Sequence, residues 1–131
     1  MSNSPRLIVV EDEPLILMEV QHCLEDAGFD VTTATNGEEA VEAFREAEKS
    51  PVGIVTDIRL GTGMDGWEVA RAAREQHPAI AVVYVTADSA ADWPVYGVPK
   101  SALISKPFAG AQLVTAMANL LNDLSGSVDV G

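Results

Sequence analysis

Apolar residues recur along this chain with two alternating periods. RLIVV (6–10), GIV (53–55), VVYV (82–85) and ALI (102–104) are short runs with the length and β-branched content of buried strands. DVTTA (30–34) is more polar and reads as an edge strand. Between these runs the apolar positions keep helical spacing. Ile16, Val20, Cys23, Leu24 and Ala27 form one stripe, with Pro14 suited to a first turn and Gly28 to a C-terminal stop. Ala40, Val41, Phe44 and Ala47 form a second after Asn36, a predicted N-cap. Val69, Ala70 and Ala73 form a third; Leu113, Val114, Met117, Leu120, Leu121 and Leu124 form a fourth, the clearest. The segment DSAADWPVYGVPKS (88–101) stands where another helix belongs, but Pro94, Gly97 and Pro99 allow at most a short one.

Strands alternating with helices predict an α/β fold: a parallel sheet covered on both faces, because each right-handed crossover lays a helix on one side. In such a sheet ligands gather beyond the carboxyl ends of the strands. The first strand ends in Glu11 and Asp12, the third in Asp57, the fourth in Thr86 and the fifth in Lys106. Every residue with usable chemistry therefore falls on one edge, a convergence that isolated surface turns would not produce. Clustered carboxylates repel one another unless a cation neutralises them, and an all-oxygen set with room for water suits Mg2+. Lys106 and Thr86 add a charge and a hydroxyl suited to phosphoryl oxygens. A carboxylate nucleophile in that company describes phosphoryl transfer onto aspartate.

Composition narrows the reading. The chain has 131 residues, 47% of them hydrophobic and 21% charged, which is globular composition in one domain. Eight basic against twenty acidic residues give a net charge of −12, which argues against direct binding to nucleic acid or anionic lipid. A single cysteine, Cys23, excludes an internal disulfide and is read as part of the core. There is neither a signal-peptide core nor an apolar run of membrane-spanning length, so a cytoplasmic location is expected. His22 and His77 share no metal-ligand spacing and are read as structural or solvated, and Trp67 as packing at the start of the third helix. Trp93 and Tyr96, in the irregular segment, are read as local packing, with an exposed aromatic pair for a partner as the alternative.

VVEDEP, VTDIRLGTGMDG, VVYVTAD and SKPF resemble the signature of the receiver domain of two-component response regulators, over residues 6–124. The resemblance implies a flavodoxin-like (βα)5 fold with strand order 2-1-3-4-5. It further implies that Asp57 is the phosphoacceptor and that Asp12 ligates Mg2+ directly, with Glu11 acting through water and the main-chain carbonyl of Arg59 adding a ligand. Thr86 would contact the phosphoryl group and move on activation, Lys106 would pair with it, and Lys106–Pro107 would be a cis peptide. The expected protein is a single receiver domain, 1–131, with a core at 6–124 and a flexible tail at 125–131. It would take its phosphoryl group from a histidine kinase or a histidine phosphotransfer protein and signal through a downstream protein target, with homodimerisation open.

Three features depart from the family pattern. Gly61-Thr62-Gly63 stands where a proline is usual, Leu103 occupies the usual aromatic position three residues before the lysine, and the fourth helix is broken. These departures make 88–101 the expected mobile output element. A flavin carrier is disfavoured because Glu11-Asp12-Glu13 would repel the flavin phosphate. An aspartate-nucleophile phosphatase is disfavoured because Arg59 stands where its second acid belongs. A pseudo-receiver that folds alike without being phosphorylated is the alternative.

Overall fold

In a computed structural model, which describes residues 4–46, 50–87 and 90–126, the five runs do form strands. They are β1 (Arg6–Val10), β2 (Asp30–Ala34), β3 (Gly53–Asp57), β4 (Ala81–Thr86) and β5 (Ser101–Ser105). All pair in parallel, in the order β2-β1-β3-β4-β5. The three inner strands are buried almost throughout, whereas β2 and β5 at the two edges are only partly covered. That difference explains why β2 tolerates the polar DVTTA. Three strands are longer than their apolar runs suggested: β3 reaches Asp57, β4 runs from Ala81 to Thr86 and β5 from Ser101 to Ser105, because ladder hydrogen bonds carry the flanking residues too.

Five helices cover the sheet: α1 (Pro14–Asp26), α2 (Gly37–Glu46), α3 (Gly66–Gln76), α4 (Trp93–Tyr96) and α5 (Gly110–Gly126). Local chemistry sets their ends. Pro14 opens α1, and Gly28, at φ +102°, closes it in a conformation that costs glycine little. Asn36 caps α2 by accepting the Glu39 N–H at 2.8 Å. Asp65 and Glu68 form a reciprocal capping box at the start of α3, with bonds of 2.9 and 3.0 Å. After β4 there is only a 3-10 turn (Ala90–Asp92) and the single turn of α4, as the prolines and glycine of that segment predicted.

The helices divide the core in two. α1 and α5 close one face over Leu7, Val9, Val55, Val83 and Val85, with Val20, Leu24, Leu113, Met117 and Leu120 pointing inward. α2 and α3 close the other over Ile8, Val10, Ile54, Val82 and Tyr84, with Ala40, Phe44, Val69, Ala70 and Ala73 inward. Trp67 is buried at the start of α3, as expected. Cys23 is only half-buried rather than core, and Ala27 is exposed: both sit on the flank of α1, where Cys23 meets Gly110 instead of the sheet. His22 is exposed and His77 half-buried. Ala47, Asp88, Ser89, the side chain of Leu124 and the final residues 127–131 lie outside the described residues, and with them the expectation of a flexible tail. No helix among the described residues is long and apolar enough to cross a membrane.

Candidate functional site

Parallel strands deliver their last residues to one edge, and the register shows it directly. Asp57 pairs with Val85 and Thr86 with Ser105, while Glu11 follows β1 and donates its N–H to Ala34 O at 3.1 Å. Glu11 is 3% exposed, Asp57 7% and Thr86 1%, so three polar residues are buried at the rim of a core that is otherwise apolar apart from Thr56. Buried polar groups need partners, and here the partners are mutual. Lys106 Nζ donates to Asp57 Oδ2 at 2.8 Å and lies 3.4 Å from Glu11 Oε1. The Arg59 N–H donates to Asp57 Oδ1 at 3.1 Å, and the Glu13 N–H to Glu11 Oε2 at 3.2 Å.

Asp12 completes the set. It is exposed, and one carboxylate oxygen from each of Glu11, Asp12 and Asp57 lies within 4.8 Å of the others. The structure thus brings together Glu11, Asp12, Asp57 and Lys106. Thr86 stands at the end of β4, where its carbonyl accepts the Lys106 N–H at 2.7 Å. The Lys106–Pro107 peptide is cis. The loop after Asp57 turns through Gly61 and Gly63 at φ +79° and +89°, conformations that a proline at either position could not adopt.

Charge is not balanced in this cluster. Burial, and then the neighbouring Asp57 charge, raise the Glu11 pKa from its ordinary 4.5 to about 7, against the lowering effect of the Glu13 N–H and of Lys106. Burial works against the Lys106 ammonium too, but its hydrogen bond to Asp57 and the charges of Asp57 and Glu11 outweigh it, so its pKa rises. A raised carboxyl pKa means that the folded protein holds a proton which the unfolded chain has released. The associated stability is present in full below pH 4.5 and is lost as pH climbs to about 7. Without metal, stability is therefore expected to fall across that window by about 3 kcal/mol. Melting curves in chelator from pH 4.5 to 7 check this. Glu11→Gln should remove most of the slope; an unchanged slope would assign it to other groups.

Sequence reasoning passed over two residues that anchor the loop before β5. Tyr84 was read as one apolar position in VVYV, yet its hydroxyl accepts the Val98 N–H at 3.1 Å. Arg74 reaches from α3 to the carbonyls of Ile80, Pro99 and Lys100 at 2.8, 2.7 and 3.1 Å. Helical spacing marks Arg74 as solvent-facing, and no local pattern reveals that its guanidinium crosses to a distant loop. Trp93 is not half of an exposed aromatic pair. It is half-buried, with its indole N–H on Ser101 Oγ at 3.0 Å, because the bend at Gly97 folds the segment back onto its ring. Tyr96 is 52% exposed, which the local-packing reading did not anticipate.

The sequence matches the response regulator receiver domain family over residues 7–118. The chain belongs to that family. As a receiver domain it is a module of two-component signalling, and Leu103 and the one-turn α4 are variations within the family. It is 35% identical over 120 residues to the transcriptional regulatory protein PrrA of Mycobacterium tuberculosis, covering 90% of this chain and 50% of that protein. To the DNA-binding transcriptional regulator NtrC of Escherichia coli it is 35% identical over 102 residues, covering 76% of this chain and 21% of that one. The receiver thus spans about half the length of PrrA and about a fifth of NtrC. Among solved structures it resembles a response regulator receiver protein from Sinorhizobium medicae, at 39% identity and TM-score 0.89 over 94% of this chain and 98% of that one.

Proposed function

We propose that this receiver accepts a phosphoryl group on Asp57 from a phosphohistidine, in a reaction that needs Mg2+. One observation carries the reading. The buried Asp57 carboxylate is held by Lys106 Nζ and the Arg59 N–H, with carboxylate oxygens of Glu11 and Asp12 within 4.8 Å. A strand-end aspartate serving structure alone has no use for two further carboxylates that oppose its charge.

Each residue then has a role. Asp57 attacks phosphorus with a carboxylate oxygen: an O–P bond forms, the P–N bond breaks, and the electron pair leaves on the imidazole nitrogen, which takes up a proton. The backbone bond from Arg59 and the side-chain bond from Lys106 fix the attacking carboxylate before the donor arrives. Lys106 then serves the phosphoryl oxygens, and the Thr86 hydroxyl donates to them. Glu11, Asp12, Asp57 and the Arg59 carbonyl would hold Mg2+; the all-oxygen donor set and the excess of negative charge around Glu11 fit that ion. When bound, Mg2+ offsets the charge of the phosphoryl oxygens among these carboxylates.

The surroundings favour a macromolecular donor. Leu15 and Met18, on the first turns of α1 beside the acidic pair, are 76% and 51% exposed. An open cavity of about 570 Å3 lined by Ile16, Glu19, Ala87, Lys106, Pro107 and Phe108 adjoins them. These apolar surfaces suit a histidine kinase or phosphotransfer protein, which Asp57 would meet at the rim. The net charge of −12 keeps nucleic acid off this module itself.

Intact-mass spectrometry with a small acyl phosphate tests the reading without a kinase. Wild-type protein is expected to gain one phosphoryl group with Mg2+ and none in chelator. Asp12→Ala should weaken Mg2+ binding by tenfold or more in a calorimetric titration, because one of three clustered carboxylates is lost. Failure of the wild type to gain mass with the donor and with a panel of phosphorylated kinases would leave the pseudo-receiver reading.

A further inference from the structure

The stretch from Gly97 to Lys100, between α4 and β5, carries no regular structure, yet bonds from α3, α4, β4 and the first residue of β5 hold it. Ser101 Oγ donates to Val98 O at 2.7 Å and accepts the Trp93 indole N–H. Arg74 holds the Pro99 and Lys100 carbonyls, and Lys100 sits at φ +58°, a backbone conformation that a lysine keeps only when its surroundings impose it. The remaining anchor comes from the sheet. Tyr84 is completely buried on β4, and its hydroxyl accepts the Val98 N–H.

Tyr84 also stands in line with the phosphoryl site. It precedes Thr86 by two residues, so both side chains leave β4 on the same face. On β5 its register partner is Leu103, which offers no polar atom, while Thr86 pairs with Ser105 just before Lys106. The Tyr84 ring lies 4.7 Å from Trp67, and Trp67 lies 6.0 Å from the exposed Tyr96 on α4. One strand thus connects the hydroxyl at the site, a buried hydroxyl on a loop amide, and an aromatic column ending at the surface.

We propose that Tyr84, on β4, is the switch residue of this receiver: its hydroxyl bond to the Val98 amide is made in the free protein and lost when a phosphoryl group on Asp57 draws Thr86 toward it. The inference rests on the phosphoacceptor reading above. A short extended strand packed on both faces does not bend easily over two residues, so a shift at Thr86 is passed to Tyr84. The bond between Tyr84 and Val98 is made or unmade rather than stretched, because a buried donor and acceptor weaken steeply with misalignment. Release leaves the Gly97–Lys100 stretch held by Arg74, by Ser101 and by the Gly97 N–H on Trp93 O, and the Tyr84–Trp67–Tyr96 column carries the change to the surface of α4.

Residue-resolved amide exchange, with and without beryllofluoride and Mg2+, tests this, and fluorine NMR reports whether beryllofluoride has seated. In the wild type the Val98 amide is expected to exchange at least tenfold faster once beryllofluoride is bound. Tyr84→Phe keeps the ring and removes only the acceptor. Its Val98 amide should exchange fast in both states, while beryllofluoride still seats at Asp57. Seated beryllofluoride with unchanged Val98 exchange in the wild type overturns the inference and leaves the phosphoacceptor reading intact. A Tyr84→Phe protein whose Val98 amide is still protected and still switches overturns it as well. No seating in the wild type overturns both. The wild-type comparison decides the matter even if the variant folds poorly.

Discussion

Asp57→Asn is expected to abolish phosphoryl uptake while leaving the fold intact. The amide is nearly isosteric with the carboxylate, so the end of β3 and the bond from the Arg59 N–H to Oδ1 can survive. What disappears is the nucleophile, since an amide oxygen does not displace an imidazole from phosphorus at neutral pH. The charge balance moves in a favourable direction as well. After burial, the Asp57 charge is the largest influence raising the Glu11 pKa, so its removal lets Glu11 ionise at lower pH opposite Lys106. The variant should therefore melt no lower than the wild type in chelator at pH 7 and yet gain no mass from a small acyl phosphate with Mg2+. Phosphoryl uptake at the wild-type level would move the acceptor to another residue and remove the basis for the roles given to Lys106 and Thr86.

Most of the fold was legible because its signals are local and repeat. Short apolar runs and period-3.6 patterns marked each buried strand and each long helix, and the prolines at 94 and 99 foretold a reduced α4. Strand ends were legible for a different reason: once a parallel sheet is inferred, connectivity alone places Glu11, Asp12, Asp57, Thr86 and Lys106 on one edge. Long-range polar contacts were not legible. The bonds from Arg74 to Pro99 and Lys100 join residues 25 and 26 positions apart, and nothing in either stretch encodes the other. Tyr84 was hidden by its own strand, since six buried residues in succession erase the alternation that would have set its hydroxyl apart. Cys23 was misplaced by a helical stripe wider than the surface the sheet covers, so that its flank faces Gly110. In each case packing between elements decided the outcome over any preference within one.

The same edge explains why Gly66→Ala should be among the most damaging single-atom additions to this protein. Gly66 is the first residue of α3 and is buried, and its N–H donates to Ile58 O at 2.8 Å, closing the loop that follows Asp57. A Cβ built there would lie 2.7 Å from Ile58 Cα and 2.9 Å from the Asp57 carbonyl carbon, and would overlap the Asp57 carbonyl oxygen outright. All three obstacles are backbone, so no side-chain rotation relieves them. Either α3 is pushed off its capping box or the end of β3 gives way, at a cost of about 3 kcal/mol or more. Because the displaced atoms belong to Asp57 itself, variant molecules that still fold should have a misdirected carboxylate. Chemical denaturation should show the loss of stability, and Mg2+ affinity and phosphoryl uptake measured well below the melting point should fall with it. Gly28→Ala is the internal comparison. Gly28 has φ +102° but open space around its position, so alanine there meets only backbone strain of about 1 kcal/mol. That change should leave phosphoryl uptake untouched. Equal effects of the two substitutions on uptake would show that the close approach of α3 to Asp57 does not position the acceptor.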